Sequence, residues 1–200
     1  MIKALTPHYE VKTFGVKDNI NNVLSKANIV AFPGGIGDVT TYDKFFRRRA
    51  ANAVADFVSN GGKYLGICMG AYWAGSRYFD ILDGCDVQQY IKRPDAEIKR
   101  PYVTIANVKW LGEKEKMFFY DGGVIIANGE EKFRTIARYE NGEPMAIIQG
   151  NVGLIGCHPE SLEYWYNDYK YINQHWHNER HHKLLLNFVN KLVSVTRDAS

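Results

Sequence analysis

Apolar positions along the 200-residue chain fall into two rhythms. Short apolar runs with glycine or asparagine at their ends read as strands: residues 9–16 (Tyr9, Val11, Phe14 on one side), 28–32, 64–67, 84–90, 102–108, 116–120, 124–127, 133–139, 145–149 and 154–155. Stripes of helical period separate some of them. Asp18-Asn19 can cap a short helix carrying Ile20, Val23 and Leu24. Thr41-Tyr42-Asp43 can cap a longer one, with Phe45, Phe46, Ala50, Ala53, Val54, Phe57 and Val58 on one face, and Ser59-Asn60-Gly61-Gly62 ends it. A helix is expected over residues 70–79. Leu184, Leu185, Leu186, Phe188, Val189, Leu192 and Val193 make a closing amphipathic helix. Strand–helix–strand alternation in the first third predicts a mostly parallel sheet. The helix-poor middle, with the hairpin signal Asn141-Gly142, predicts added antiparallel strands.

The chemistry falls at strand ends. Gly66-Ile67-Cys68-Met69-Gly70 has the Gly-x-nucleophile-x-Gly form of a sharp strand-to-helix turn, with cysteine in the middle. Glycine tolerates the close backbone approach such a turn demands, and a helix N-terminus behind a cysteine favours its thiolate. A second run, Leu154-Ile155-Gly156-Cys157, leads into His158-Pro159-Glu160. A cysteine nucleophile needs a base and a group to orient that base. His158 and Glu160, two apart in an extended segment, point the same way. A third strand ends in Pro33-Gly34-Gly35-Ile36-Gly37-Asp38, where backbone N–H groups could face a developing negative charge. The constellation expected is Cys68 as nucleophile, His158 as base, Glu160 as its orienting acid, and an oxyanion site at Gly35 and Met69. Gly34, Asp38, Tyr42, Tyr72 and Asp121 are the pocket candidates.

The motif order resembles the class I glutamine amidotransferase-like superfamily with its Cys-His-Glu triad. Within it, the stretches 32–38, 66–72, 120–123 and 156–160 are similar to the amino-terminal domain of eukaryotic-type biotin–protein ligases and its stand-alone relatives, and the likeness spans nearly the whole chain. It implies one flavodoxin-like α/β/α sandwich over residues 1–200, with the triad on Cys68, His158 and Glu160. Such relatives open with a central strand and helix ahead of the segment matching Tyr9. Either that first strand is missing here or the sequence starts inside the domain. A missing strand would leave a sheet edge open to a second copy or a partner protein. Glutaminase members carry glutamine where this chain has Tyr72, which argues against glutamine hydrolysis. The glycine- and arginine-rich biotin-binding segment of a ligase is also lacking.

Composition narrows the partners. Apolar residues make up 46% and charged residues 24%, with a formal net charge of +3; no basic block is long enough for nucleic acid. Three cysteines, Cys68, Cys85 and Cys157, do not suggest a disulfide scaffold, and a free reactive thiol fits a reducing, cytoplasmic setting. Neither a signal peptide nor a membrane span is expected. No cofactor or metal is expected either. His177 and His181 are four apart, but a solvated, weakly pH-sensitive helix start explains them better than a metal site. Arg47-Arg48-Arg49 reads first as a solvated helix face and second as an anion patch. Asp121-Gly122-Gly123 reads as a turn or as a wall of the site. Three functions therefore stand side by side. The first is a cysteine-dependent amidase or acyl transferase acting on a small-molecule or peptide amide. The second is a non-catalytic metabolite- or protein-binding domain of the same fold. The third is a redox-sensing thiol.

Overall fold

Residues 1–15, 17–35, 42–43 and 48–195 are described in the computed structural model of the chain. Asp38, Phe45 and Phe46, and the side chains of Arg47, Arg48 and Arg49, lie outside the described residues. Nine strands follow one another: β1 (Ile29–Phe32), β2 (Lys63–Ile67), β3 (Cys85–Gln89), β4 (Thr104–Trp110), β5 (Glu113–Phe119), β6 (Gly123–Ala127), β7 (Arg134–Tyr139), β8 (Pro144–Gln149) and β9 (Val152–Ile155). The helices are α1 (Ile2–Leu5), α2 (Ile20–Leu24), α3 (Arg48–Ser59), α4 (Met69–Trp73), α5 (Glu163–Asn167) and α6 (Arg180–Ser194).

Seven strands form one sheet in the order β1-β2-β9-β8-β7-β4-β5, and β3 and β6 form a separate pair. The layers can be read from β2. Tyr64 points to one face, where it meets Val54 and Val58 of α3 and the rings of Phe32, Trp73 and Phe79. Leu65 and Ile67 belong to the other side, with Leu185, Phe188, Val189 and Leu192 of α6. A strand covered on both faces is apolar at successive positions, and Tyr64, Leu65 and Ile67 are fully buried. The result is an α/β fold with helices on both faces of its parallel part.

The sheet is mixed, which corrects the expectation of a mostly parallel one. Only the β1–β2 and β2–β9 pairings are parallel; β9–β8, β8–β7, β7–β4 and β4–β5 are antiparallel. The connections explain this. Leu111-Gly112 between β4 and β5, Gly150 between β8 and β9, and Gly142 between β7 and β8 all have positive φ. Such tight turns return the chain alongside itself and exclude a crossover. The expected antiparallel addition is thus larger than the parallel part it adjoins.

Two local expectations also change. Residues 10–15 form no strand. Tyr9 and Val11 pack on the core, and the Tyr9 hydroxyl donates to Asn190 Oδ1 on α6 at 2.5 Å. Phe14 packs on the other core cluster, so partial burial of an irregular segment, rather than strand pairing, produces the apolar spacing. The helix after Cys68 stops at Trp73, short of the expected residue 79, and Gly75 just beyond it sits against Asp86: a Cβ there would lie 2.3 Å from its Oδ1. That carboxylate also accepts from the Ser76 backbone N–H and hydroxyl. Two of the expected helix ends were legible, and the expected cap at Thr41 lies outside the described residues. Asn19 caps α2 through Asn21 and Asn22, and Gly61, at φ 100°, ends α3.

Candidate functional site

Cys68 leaves β2 and caps α4 with φ 50° and ψ −104°, a region that side chains other than glycine rarely occupy. Its surroundings fix it there. The backbone N–H donates to Ile155 O at 2.8 Å, and the carbonyl accepts from Ala71 and Tyr72. A Cβ on Gly66 would stand 2.4 Å from Gly70 O, and one on Gly70 would stand 2.1 Å from Phe32 O. Both glycines of the pattern are therefore required by backbone meeting backbone.

The end of β9 supplies the second group. Gly156 bonds back to Met145 O, and the His158 N–H donates to Phe118 O at 2.9 Å. His158 Nδ1 then lies 2.9 Å from Glu160 Oε1, and both side chains are buried. Phe118 and Trp165 close around the imidazole edge-on, with ring centroids 5.8 and 5.5 Å away. Burial works against a charge on His158. The negative charges of Cys68 and Glu160, and the hydrogen bonds they make with it, nonetheless raise its pKa to about 10.

The end of β1 closes the arrangement. A Cβ on Gly34 would fall 2.3 Å from His158 Cε1 and 3.2 Å from Cys68 Cβ. Gly34 therefore lies against both residues and leaves no room for a side chain. A Cβ on Gly35 would meet Met69 Cε at 3.1 Å, so Gly35 lies beside the Met69 side chain. Cys68 Sγ is 3.5 Å from Tyr120 O, to which the thiol can donate.

Tyr72 reaches across from α4 and donates its hydroxyl to Asp121 O at 3.1 Å. Burial, then the charges of Asp121 and Cys68, raise its pKa, so it remains a donor. The Asp121 carboxylate is taken by Gln89 Nε2 at 2.9 and 3.1 Å, and its φ is 48°. Asp121 thus meets Tyr72 through its main chain. The structure places Tyr42 elsewhere: it is 8% exposed, its ring 4.6–5.8 Å from those of Tyr78, Phe79 and Trp73. It is a core ring of the helical layer.

Sequence reasoning missed Phe118, Tyr120 and Trp165. Phe118 and Trp165 lie in aromatic runs whose facing the sequence does not carry, and Tyr120 acts through its carbonyl. It also misjudged the histidines after residue 174. His181 and His182 are buried. His182 Nε2 donates to Ser161 O at 2.8 Å, and His181 Nε2 lies 3.1 Å from buried Glu115. Ser161 Oγ lies 3.0 Å from Tyr166 Oη and 3.3 Å from His177 Nε2. These are the inner side of a helix start, whose partners sit far away in sequence. Among the described residues, no group of three or more His, Cys, Asp and Glu side chains is placed to hold a metal ion. No helix among them is long and apolar enough to cross a membrane.

Comparison with known proteins agrees with this architecture. Residues 1–88 match the family "Biotin-protein ligase, N terminal". Among solved structures, a glutamine amidotransferase superposes with a TM-score of 0.68 at 19% identity, covering 97% of this chain and 92% of that one. The structure of PurLQS from Thermotoga maritima gives 0.64 at 17%, covering 96% and 91%. A second glutamine amidotransferase, also from Thermotoga maritima, gives 0.60 at 14%, covering 86% and 80%. No curated protein matches significantly by sequence. The chain has the class I glutamine amidotransferase-like fold.

Proposed function

We propose that the protein is a cysteine-dependent amidase or acyl transferase. The observation that carries this reading is the buried His158–Glu160 pair set beside Cys68, with Gly34 lying against both His158 and Cys68. A binding domain does not need a carboxylate behind a histidine behind a thiol. With Nδ1 engaged by Glu160, Nε2 is the nitrogen left for the thiol proton. The Cys68 sulfur attacks the carbonyl carbon of an amide, forming a C–S bond and an oxyanion. The backbone N–H groups of Gly35 and Met69 are the donors proposed for that oxygen. Collapse breaks the C–N bond, and the imidazolium gives its proton to the leaving amine. Water or a second amine, deprotonated by His158, resolves the thioester.

Glutamine is not the substrate this site favours. The position at which amidotransferases of this likeness carry glutamine holds Tyr72, and its hydroxyl is tied to Asp121 O. The same feature favours the second reading, a metabolite- or protein-binding domain, because it narrows the approach to the thiol. Alkylation followed by intact mass decides between them. Cys85 and Cys157 are internal standards, since burial pushes the first thiol up to about 11 and the second well above its ordinary value. Cys68 is expected to react much faster than both, and His158→Ala to slow it. A Cys68 that reacts no faster than the other two excludes the enzyme. A fast Cys68 licenses a screen of amides, with glutamine as the expected poor substrate.

A further inference from the structure

A cleft of about 630 Å³ opens between the start of β5 and the segment that enters α6. We propose that it binds a phosphorylated small molecule. Lys114 and Lys116, two apart on β5, project to one side of the strand. Lys183 faces them from the first turn of α6, and Arg180 precedes it by three residues on the same side. Lys114, Lys116 and Lys183 form no ion pair among the described residues. Two carboxylates next in sequence to these lining residues are engaged: Glu115 is buried and held by Arg180 and His181, and Glu179 is held by Lys3 at 3.1 Å. Three ammonium groups thus surround one concavity uncompensated. Holding like charges together is unfavourable until an anion arrives.

Two further observations point to a ligand. His181 is 1% exposed and lines the cleft; its Nε2 faces Glu115 and its Nδ1 has no hydrogen-bond partner. A buried polar atom without a partner calls for an explanation. A proton on that nitrogen becomes favourable when negative charge enters the cleft. The second observation is Trp176, also in the wall, with the ring of His177 beside it, centroids 4.1 Å apart and tilted by 45°. It offers a flat apolar surface to the organic part of a ligand. The volume suits a small organic molecule rather than a bare ion, and the N-terminus of the 15-residue α6 adds to the positive field. Three fixed cations in so small a space match the charge density of a phosphate or diphosphate group better than that of a carboxylate.

The proposal does not depend on the chemistry at Cys68, and calorimetry at fixed ionic strength tests it. Inorganic pyrophosphate and a nucleoside diphosphate are titrated into the intact protein, with citrate and chloride as comparators. Saturable one-to-one binding of the phosphate compounds is expected, weakened about tenfold or more in Lys114→Ala/Lys116→Ala. Both lysines are exposed, so the fold should survive their loss, and an unchanged melting temperature checks this. Lys26→Ala and Cys68→Ala should bind as the native protein does. Absence of saturable binding overturns the proposal, as does a double variant that binds like the native protein. Citrate binding as tightly as pyrophosphate overturns the phosphate assignment.

Discussion

Two buried histidine–glutamate pairs in this molecule use the same chemical groups and arrive at opposite charge states. His158 Nδ1 lies 2.9 Å from Glu160, and His181 Nε2 lies 3.1 Å from Glu115. Burial disfavours the imidazolium in both. At His158 a second negative group, Cys68, outweighs burial together with Glu160, and the pKa rises to about 10. At His181 the added neighbours are Arg180 and His182, both cationic when charged; they join burial and lower the pKa to about 3. Glu115 spends its charge on Arg180, whereas Glu160 keeps an oxygen with no hydrogen-bond partner. The third member of each group therefore decides its role. A thiol beside the first pair gives it the proton-transfer role proposed above, and a guanidinium makes the second a structural clamp.

The comparison breaks most readily at Gly34. Gly34→Ala forces a methyl into the imidazole and should cut the alkylation rate of Cys68 by about 100-fold, since displacements on the order of 1 Å carry losses of that size. Unchanged labelling would show that His158 does not serve the thiol. Glu160→Gln removes one of the two charges that hold His158 protonated. The expected loss in Cys68 reactivity is smaller, about tenfold, roughly one pKa unit's worth of interaction, read in the same mass assay. Arg180→Ala leaves Glu115 buried with less compensation. Because the Arg180 side chain is 59% exposed, the expected destabilisation is about 1–2 kcal/mol by urea unfolding, with Cys68 labelling unaltered.

Titration separates the pairs without mutation. The stability His158 contributes is full below its ordinary pKa of about 6.5 and is lost as pH rises through about 10. His177 and His181, both lowered to about 3, behave oppositely: their contribution is full above about 6.5 and is lost as pH falls toward 3. Histidine side-chain NMR is expected to show His158 protonated at pH 8 and His181 neutral at about pH 5. An ordinary titration near pH 6.5 for both rings would remove the distinction.

How much of this the sequence displayed depends on how far the information travels. Glycines at 66 and 70, the extended spacing of His158 and Glu160, and the turn at Asn141-Gly142 are local statements, and each matches the geometry found. The antiparallel strands were legible but their share of the sheet was not, because strand direction is set by turn geometry, and Leu111-Gly112 carries a weaker signal than Asn-Gly. The burial of His181 and His182 escaped because Glu115 and the Ser161 carbonyl are distant in sequence. Tyr42 was assigned by its nearness to the glycine loop in sequence, but its ring packs with those of Trp73, Tyr78 and Phe79.

The meeting of three strand ends at Gly34 has a consequence for the order of events during folding. Gly34, Cys68 and His158 come together only after β2 has paired with both β1 and β9, and β9 lies among the last strands to leave a ribosome. Pairings between segments so distant in sequence form slowly. A nascent or partly folded chain therefore carries an ordinary thiol at position 68, without its imidazole neighbour. Under the proposed function, chemistry is withheld until the sheet is complete, so the cysteine's own reactivity can serve as a clock for the end of folding.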